Sequence, residues 1–350
     1  MVFNNIIFPR IECPFPELIS PYADVVHEHT LEWVRAHAMV KDKKAFEHLR
    51  KSKFGRLASR AYPDAPLDRL KIVSDWNTWL FVLDDQCDEC GLGKHPKALA
   101  VVHNRCLEIL CGQSPGPNDL PLVYALHDIY RRLKPLATQA WLTRFAKSAS
   151  EYFEATQWEA QNRFDQHWPD TSSYIRMRPY TGGLYTDIEL IEITEGIELP
   201  CIVRSHPRLI QLINITNNVV CWSNDIISLR KEKAHGDMHN LALIMNHESN
   251  CSLQEVLNQV KLLIENQIDR FIRFETQLPR FGRHHDQDIA RFVRVLKSWM
   301  RGNLDWAYES ERYHSEERPP VQHKIKACLE PIKKVWLPNH FSPADAWPEG

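Results

Sequence analysis

Residues 67–89 constrain the fold more than any other stretch. Twenty-three residues run without proline or glycine between Pro66 and the breakers Gly91 and Gly93, which predicts one long helix. The run Leu80-Phe81-Val82-Leu83 is apolar and ends abruptly in Asp84-Asp85-Gln86-Cys87-Asp88-Glu89, four carboxylates in six positions. Asp84 and Asp88 share one helical face about one turn apart, and Asp85 and Glu89 repeat that spacing on the adjacent face. Like charges at this separation weaken an isolated helix, and carboxylates near a helix C-terminus oppose its dipole. A hard divalent cation such as Mg²⁺, which takes oxygen ligands and bridges carboxylate to phosphate, would account for them. A solvated acidic helix end is the competing reading, and the stretch alone does not choose between the two.

The rest of the chain points to the same architecture. Only 12 glycines occur in 350 residues, which suits long helices and disfavours turn-rich β structure. No segment alternates as a strand would, and no period repeats. Helical patterning begins at Asp24 and continues over 43–53, 96–111, 120–133, 136–164, 184–195, 207–233, 253–277 and 286–313, with a proline-punctuated turn at 61–66. Asp170 caps a short helix that Pro179 and Gly182-Gly183 interrupt. Four prolines in residues 1–23 exclude a continuous helix there, while Phe3, Ile6, Ile7, Phe8 and Phe15 suggest a strap laid on the body. Residues 318–350, rich in proline, read as an irregular tail. Nothing resembles an interdomain linker. One all-α domain over residues 1–350 is expected.

A net charge of −2 gives no electrostatic case for binding nucleic acid or an anionic membrane. Nine cysteines, several inside apolar helical runs (Cys106, Cys201, Cys221), read as free thiols of a reducing compartment. Cys87 and Cys90 flank the end of the acid cluster, with no matching Cys/His pair spaced for zinc. There is no secretory pattern at the N-terminus and no apolar window long enough for a membrane span. A soluble cytoplasmic protein is expected.

A second polar constellation lies in Asn224-Asp225-Ile226-Ile227-Ser228-Leu229-Arg230-Lys231-Glu232. Asn224, Ser228 and Glu232 are spaced i, i+4, i+8, within a stripe of about 80° and spanning about 12 Å along the axis. Glu232 has the longest side chain and can lean back toward Ser228. An amide, a hydroxyl and a carboxylate are oxygen donors suited to a second Mg²⁺, and Lys231 beside them suits a phosphate. Arg312-Tyr313, at the end of the last patterned segment, could hydrogen-bond an oxyanion. Arg178 precedes the break at Gly182-Gly183, where backbone polar groups would be freed. Individually each is also an ordinary polar surface feature; their joint occurrence is what needs explaining.

These pieces, in this order, resemble the bacterial-type class I terpene synthases, most closely the sesquiterpene synthases. Asp84-Asp85-Gln86-Cys87-Asp88-Glu89 is similar to that family's aspartate-rich motif, Asn224 to Glu232 matches its NDxxSxxxE triad with the frequent Lys231, and Arg312-Tyr313 matches its RY pair with Trp306 upstream. Arg178, Thr181 and Gly182 fit its diphosphate sensor, linker and effector, although the linker is often Asp. The resemblance covers roughly residues 10–315. It implies a class I terpenoid synthase bundle of helices around a central apolar cavity. Three Mg²⁺ ions, for which Mn²⁺ could substitute, would hold a prenyl diphosphate between the two motifs.

By position, Asp84 would ligate two ions directly, with Asp85 and Asp88 supporting the site or binding through water, and Asn224, Ser228 and Glu232 would hold the third, while Arg178, Lys231, Arg312 and Tyr313 would bind the diphosphate. Phe81, Trp306, Trp299 and Trp76 are candidate aromatic walls for a carbocation, with core packing as the competing role. The implied activity is cyclisation of farnesyl diphosphate to a sesquiterpene. Geranylgeranyl diphosphate is the alternative substrate. Chain elongation is less favoured, because Asn and Ser replace the second aspartate-rich motif of the elongating enzymes. The resemblance also admits a homodimer.

Overall fold

A computed structural model describes residues 6–313, apart from Cys90 and the side chains of Cys87, Asp88 and Glu89. The tail expected at 318–350, the first five residues of the strap and the expected ligand Asp88 lie outside the described residues. The helices are α1 (Ala23–Ala36), α2 (Lys43–Ser52), α3 (Phe54–Ala61), α4 (Leu67–Glu89), α5 (Pro96–Leu110), α6 (Pro121–Leu133), α7 (Gln139–Asp165), α8 (Thr171–Thr181), α9 (Leu184–Glu195), α10 (Cys201–Arg204), α11 (Pro207–His235), α12 (Leu241–Glu248), α13 (Leu253–Glu275) and α14 (Arg283–Glu309). Among the described residues there is no strand, so the all-α expectation holds. No described helix is long and apolar enough to cross a membrane.

Local chemistry sets the boundaries. Asp170 caps α8 by accepting from Ser173 N, as the sequence predicted, and Ser252 with Glu255 forms a capping box at α13. Helix α4 begins and ends where proline and glycine dictated. Three expectations need correction. Pro179 does not interrupt α8, which continues to Thr181; the Pro179 carbonyl accepts from Asn217 Nδ2 of α11, and the break falls at Gly182 and Gly183, the latter at φ 70°. The last helix stops at Glu309 rather than 313, because Ser310 turns extended and donates its hydroxyl to Ser52 O. Helices α3 and α12 are not evident from patterning. Helix α3 is short and contains Gly55, a poor helix former, but a Cβ there would meet His27 Cα at 2.5 Å, so glycine is what lets α1 and α3 pack.

Helix α11 lies against α13, α14 and α8, while α4 lies against α1, α3, α6 and α9. Their apolar faces share one core that includes Trp76, Trp79, Phe145 and Phe292. Full burial of a side chain such as Phe145 or Phe292 contributes roughly 1.5–3 kcal/mol. The described part of the N-terminal segment contacts α13. Ile7 exchanges two backbone hydrogen bonds with the Gln254 side chain of α13, and Phe15 packs edge-on against Phe271 at 5.6 Å. The α4 and α11 segments that carry the polar motifs thereby border a single cavity.

Candidate active site

The cavity is bordered by α4, the α8–α9 junction, α11, α14 and the turn at 310–313. Asp84 of α4 and Asn224, Ser228 and Glu232 of α11 all line it. So do the expected anion-binding groups Arg178, Lys231, Arg312 and Tyr313, together with Thr181 and Gly182 at the helix break.

At the end of α4 the two aspartates differ. Asp85 receives a bidentate fork from Arg312, with Nη2–Oδ1 at 2.9 Å and Nη1–Oδ2 at 3.0 Å, and Lys231 Nζ stands 3.7 Å from Oδ1. Asp84 is approached by Arg312 only at 3.6 Å, and its side chain is 54% exposed against 22% for Asp85. Asp84 is therefore the more open oxygen donor of the two. The Arg312 guanidinium also lies 4.8 Å over the Phe81 ring, which is itself stacked on Phe54 at 4.3 Å. The turn after α14, rather than helix, aims this arginine.

On α11, Asn224 is gripped from both sides. Its Oδ1 accepts from Arg178 Nη2 at 3.0 Å and its Nδ2 donates to Tyr313 OH at 2.9 Å. Ser228 Oγ donates to the Asn224 carbonyl at 2.7 Å, and Glu232 Oε2 accepts from Asn240 Nδ2 at 2.6 Å. Arg178 is anchored by Asp225, whose Oδ1 accepts its Nε at 2.8 Å while Oδ2 accepts from Tyr174 OH and Leu241 N. In the sequence Asp225 stands out only as part of a motif. Its partners are up to 51 residues away, so no local pattern displays its anchoring position.

The apolar wall contains Phe81, Trp299 and Trp306. Trp306 donates its Nε1 to Ser52 O and meets Phe81 at 5.6 Å and Tyr313 at 5.8 Å between ring centres. Trp76 takes the competing core-packing role: it stacks on Trp79 and donates to Thr186 Oγ1, inside the core. Gly182 is required by packing, since a Cβ would lie 2.4 Å from Cys221 Sγ. Thr181 Oγ1 is 3.5 Å from Arg178 Nη1, close enough to relate the two. Arg163 of α7, Asp187 of α9 and Asp237 of the α11–α12 connection also line the cavity without having been expected there; nothing in the sequence around them sets them apart.

Among the described residues no three His, Cys, Asp or Glu side chains are gathered for a metal ion. A cation on α11 therefore depends on the Asn224 amide and Ser228 hydroxyl beside the Glu232 carboxylate. All three are oxygen donors, as a hard cation requires. Burial first, then the charges of Asp225 and Asp237, push the Glu232 carboxyl up to about 8. Excess negative charge of that kind is relieved by a bound cation, so the donor set fits a divalent metal.

Residues 75–270 match the family model described as terpene synthase family 2, C-terminal metal binding. The chain is 38% identical to (+)-T-muurolol synthase ((2E,6E)-farnesyl diphosphate cyclizing) of Roseiflexus castenholzii, over 87% of this chain and 93% of that one. It is 37% identical to germacrene A synthase of Nostoc punctiforme, over 90% and 98%. Its fold matches the crystal structure of germacradien-4-ol synthase from Streptomyces citricolor with a TM-score of 0.76 at 26% identity, covering 85% of this chain and 98% of that one. The family-model match spans both polar motifs, and the chain belongs to the bacterial-type class I terpene synthases.

Proposed function

We propose that this chain ionises farnesyl diphosphate with the help of three Mg²⁺ ions and cyclises the resulting cation to a sesquiterpene, releasing diphosphate. One observation carries the reading: the open carboxylate of Asp84, the Asn224–Ser228–Glu232 stripe and four anion-binding side chains border one cavity together with the apolar and aromatic side chains of Leu80, Phe81, Val220, Trp299 and Trp306. Asp84 and Asp85, with Asp88, would hold two ions, and Asn224, Ser228 and Glu232 the third; Mn²⁺ could replace Mg²⁺ at such oxygen sites. Bound there, the ions would supply Lewis-acid stabilisation of the departing diphosphate.

The protein's own groups then have distinct tasks. Arg312 exchanges the Asp85 carboxylate for diphosphate oxygens, and Lys231 and Tyr313 add donors beside it. Arg178 keeps its Nε on Asp225 while its terminal nitrogens turn from Asn224 toward the anion, freeing the amide oxygen as a ligand. These exchanges draw the 310–313 turn and the α8–α9 junction over the mouth and exclude water that would quench a cation. Phe81, Trp299 and Trp306 present ring faces to the migrating charge, and the Gly182 carbonyl offers a dipole near the ionising carbon.

Incubation with farnesyl diphosphate and Mg²⁺, followed by headspace analysis and diphosphate detection, tests the reading. A cyclic C15 product is expected, with geranyl and geranylgeranyl diphosphates as weaker substrates. Absence of product and of diphosphate release with all three chain lengths would overturn it.

A further inference from the structure

The cavity contains one acid for which metal and diphosphate chemistry have no use. Asp187 lies in the first turn of α9, directly after the Gly182–Gly183 break, on the cavity wall, and is only 4% exposed. The other three carboxylates of α9 each have an arginine: Glu189 meets Arg144 and Arg204, Glu192 meets Arg144, and Glu195 meets Arg291. Among the described residues Asp187 has none. Its Oδ1 is buried without a hydrogen-bond partner, and the bond from Tyr62 OH at 2.7 Å goes to its backbone carbonyl instead.

The other carboxyls on the cavity wall are engaged. Arg163 stands 3.5 Å from Glu159 and 2.8 Å from Asp237, while Asp84 and Glu232 belong to the proposed metal sites. Burial alone holds the Asp187 carboxyl well above the ordinary carboxylate range, which favours its neutral, protonated form. In its protonated form the acid carries a transferable proton into a water-excluded chamber.

We propose that Asp187 is a catalytic acid that restarts the cyclisation from a neutral intermediate, an inference that rests on the cyclase reading above. The allylic C–O bond breaks with its electron pair leaving on diphosphate. The first cyclic cation then loses a proton to that diphosphate, giving a neutral cyclic polyene. The Asp187 O–H proton adds to one alkene carbon, the π pair becomes the new C–H bond, and a second cation forms beside the Asp187 carboxylate. After further ring closure this cation loses a proton from a neighbouring carbon to Asp187, and that C–H pair becomes the product's double bond. The acid is regenerated, and no co-reactant is consumed.

The test is a single turnover with the unaltered chain equilibrated in D₂O and mixed in excess with farnesyl diphosphate and Mg²⁺, reading product mass and released diphosphate together. One carbon-bound deuterium per product is expected. Asp187→Asn, which keeps the shape but has no acidic proton, is expected to shift the product to the neutral intermediate with one ring fewer and no label. Diphosphate release without carbon-bound deuterium overturns the role of Asp187 and leaves the cyclase reading standing. So does a product whose only solvent-derived atom is oxygen, the signature of water held at the wall by Asp187 and by Asn77, whose Nδ2 is likewise buried without a partner. Absence of diphosphate release overturns the cyclase reading itself, and the proposal with it. The labelling arm needs no variant, so its outcome does not depend on how Asp187→Asn folds.

Discussion

Arg312 holds Asp85 through two parallel hydrogen bonds of 2.9 and 3.0 Å, tying the turn after α14 to the carboxylate end of α4 across 227 residues of sequence. The guanidinium is 3% exposed and covered by the Phe81 ring, so the fork is shielded from competing water. The group proposed to receive diphosphate is thus already oriented by the motif proposed to receive metal. If the planar fork rather than the bare charge matters, lysine cannot replace it. Arg312→Lys and Arg312→Ala are both expected to lower kcat/KM by about 100-fold or more, the usual cost of losing a positioned donor to developing negative charge. Diphosphate-release kinetics measure this. A lysine variant within a few-fold of the unaltered chain would show that charge alone suffices.

Asp225 anchors Arg178 from a fully buried position. Removing one partner of such a pair strands the other charge and costs roughly 3–5 kcal/mol, whereas removing both costs far less. Asp225→Asn should lower the denaturant midpoint markedly and abolish turnover, because Arg178 loses its aim. The double variant Asp225→Asn/Arg178→Met should recover much of the stability and none of the activity. A double variant whose loss equals the sum of the two single-variant losses in a denaturation series would mean that the pair is not coupled.

The features readable in the sequence are those whose chemistry repeats within one helix. Asp84 and the Asn224–Ser228–Glu232 stripe sit at fixed helical spacings, so local periodicity assigns their faces before any packing is known. Asp187 is one of four carboxyls on α9 and Asp225 one residue of a polar motif, and nothing in the local pattern sets either apart. What distinguishes them, the absence of a partner for one and an arginine from another helix for the other, exists only after α7, α8 and α11 have assembled. Helix α3 is hidden because Gly55 lowers helical propensity locally while serving a close contact with α1. The end of α14 is invisible to patterning because no glycine or proline marks it; Ser310 turns the chain by bonding to Ser52, 258 residues away.

His103 of α5 gives the acid sensitivity of the fold a sign. It is 1% exposed, stacked on Phe153 at 4.4 Å, and its Nδ1 is 3.3 Å from Gln157 Nε2. Burial lowers its pKa from the ordinary 6.5 to about 3. Between those values the unfolded chain binds a proton that the folded chain refuses, so this residue's share of stability is full above pH 6.5 and is lost as pH falls toward 3. The loss approaches about 1.4 kcal/mol per pH unit. His103→Gln should flatten the fall in unfolding free energy between about pH 6.5 and 4.5 by close to one proton's worth. Parallel slopes for the two chains would remove His103 as a source.

Gly182 and Cys221 form the contact that sets the α8–α9 break against α11. A Cβ at Gly182 would stand 2.4 Å from Cys221 Sγ and 3.4 Å from Arg178 Nη1, and neither neighbour is on a loose loop. Gly182→Ala must therefore push the junction away from α11, which moves Arg178 off Asn224 and Asp225. Overpacking of this kind costs about 1–3 kcal/mol, but a displacement of an ångström at Arg178 is expected to cost about 100-fold in turnover. Cys221→Ala removes the sulfur and should be nearly silent in activity. The double variant Gly182→Ala/Cys221→Ala relieves the clash, so its turnover should lie well above that of Gly182→Ala. If adding Cys221→Ala restores nothing, the glycine is needed for its carbonyl or its backbone freedom rather than for the space it leaves to the sulfur.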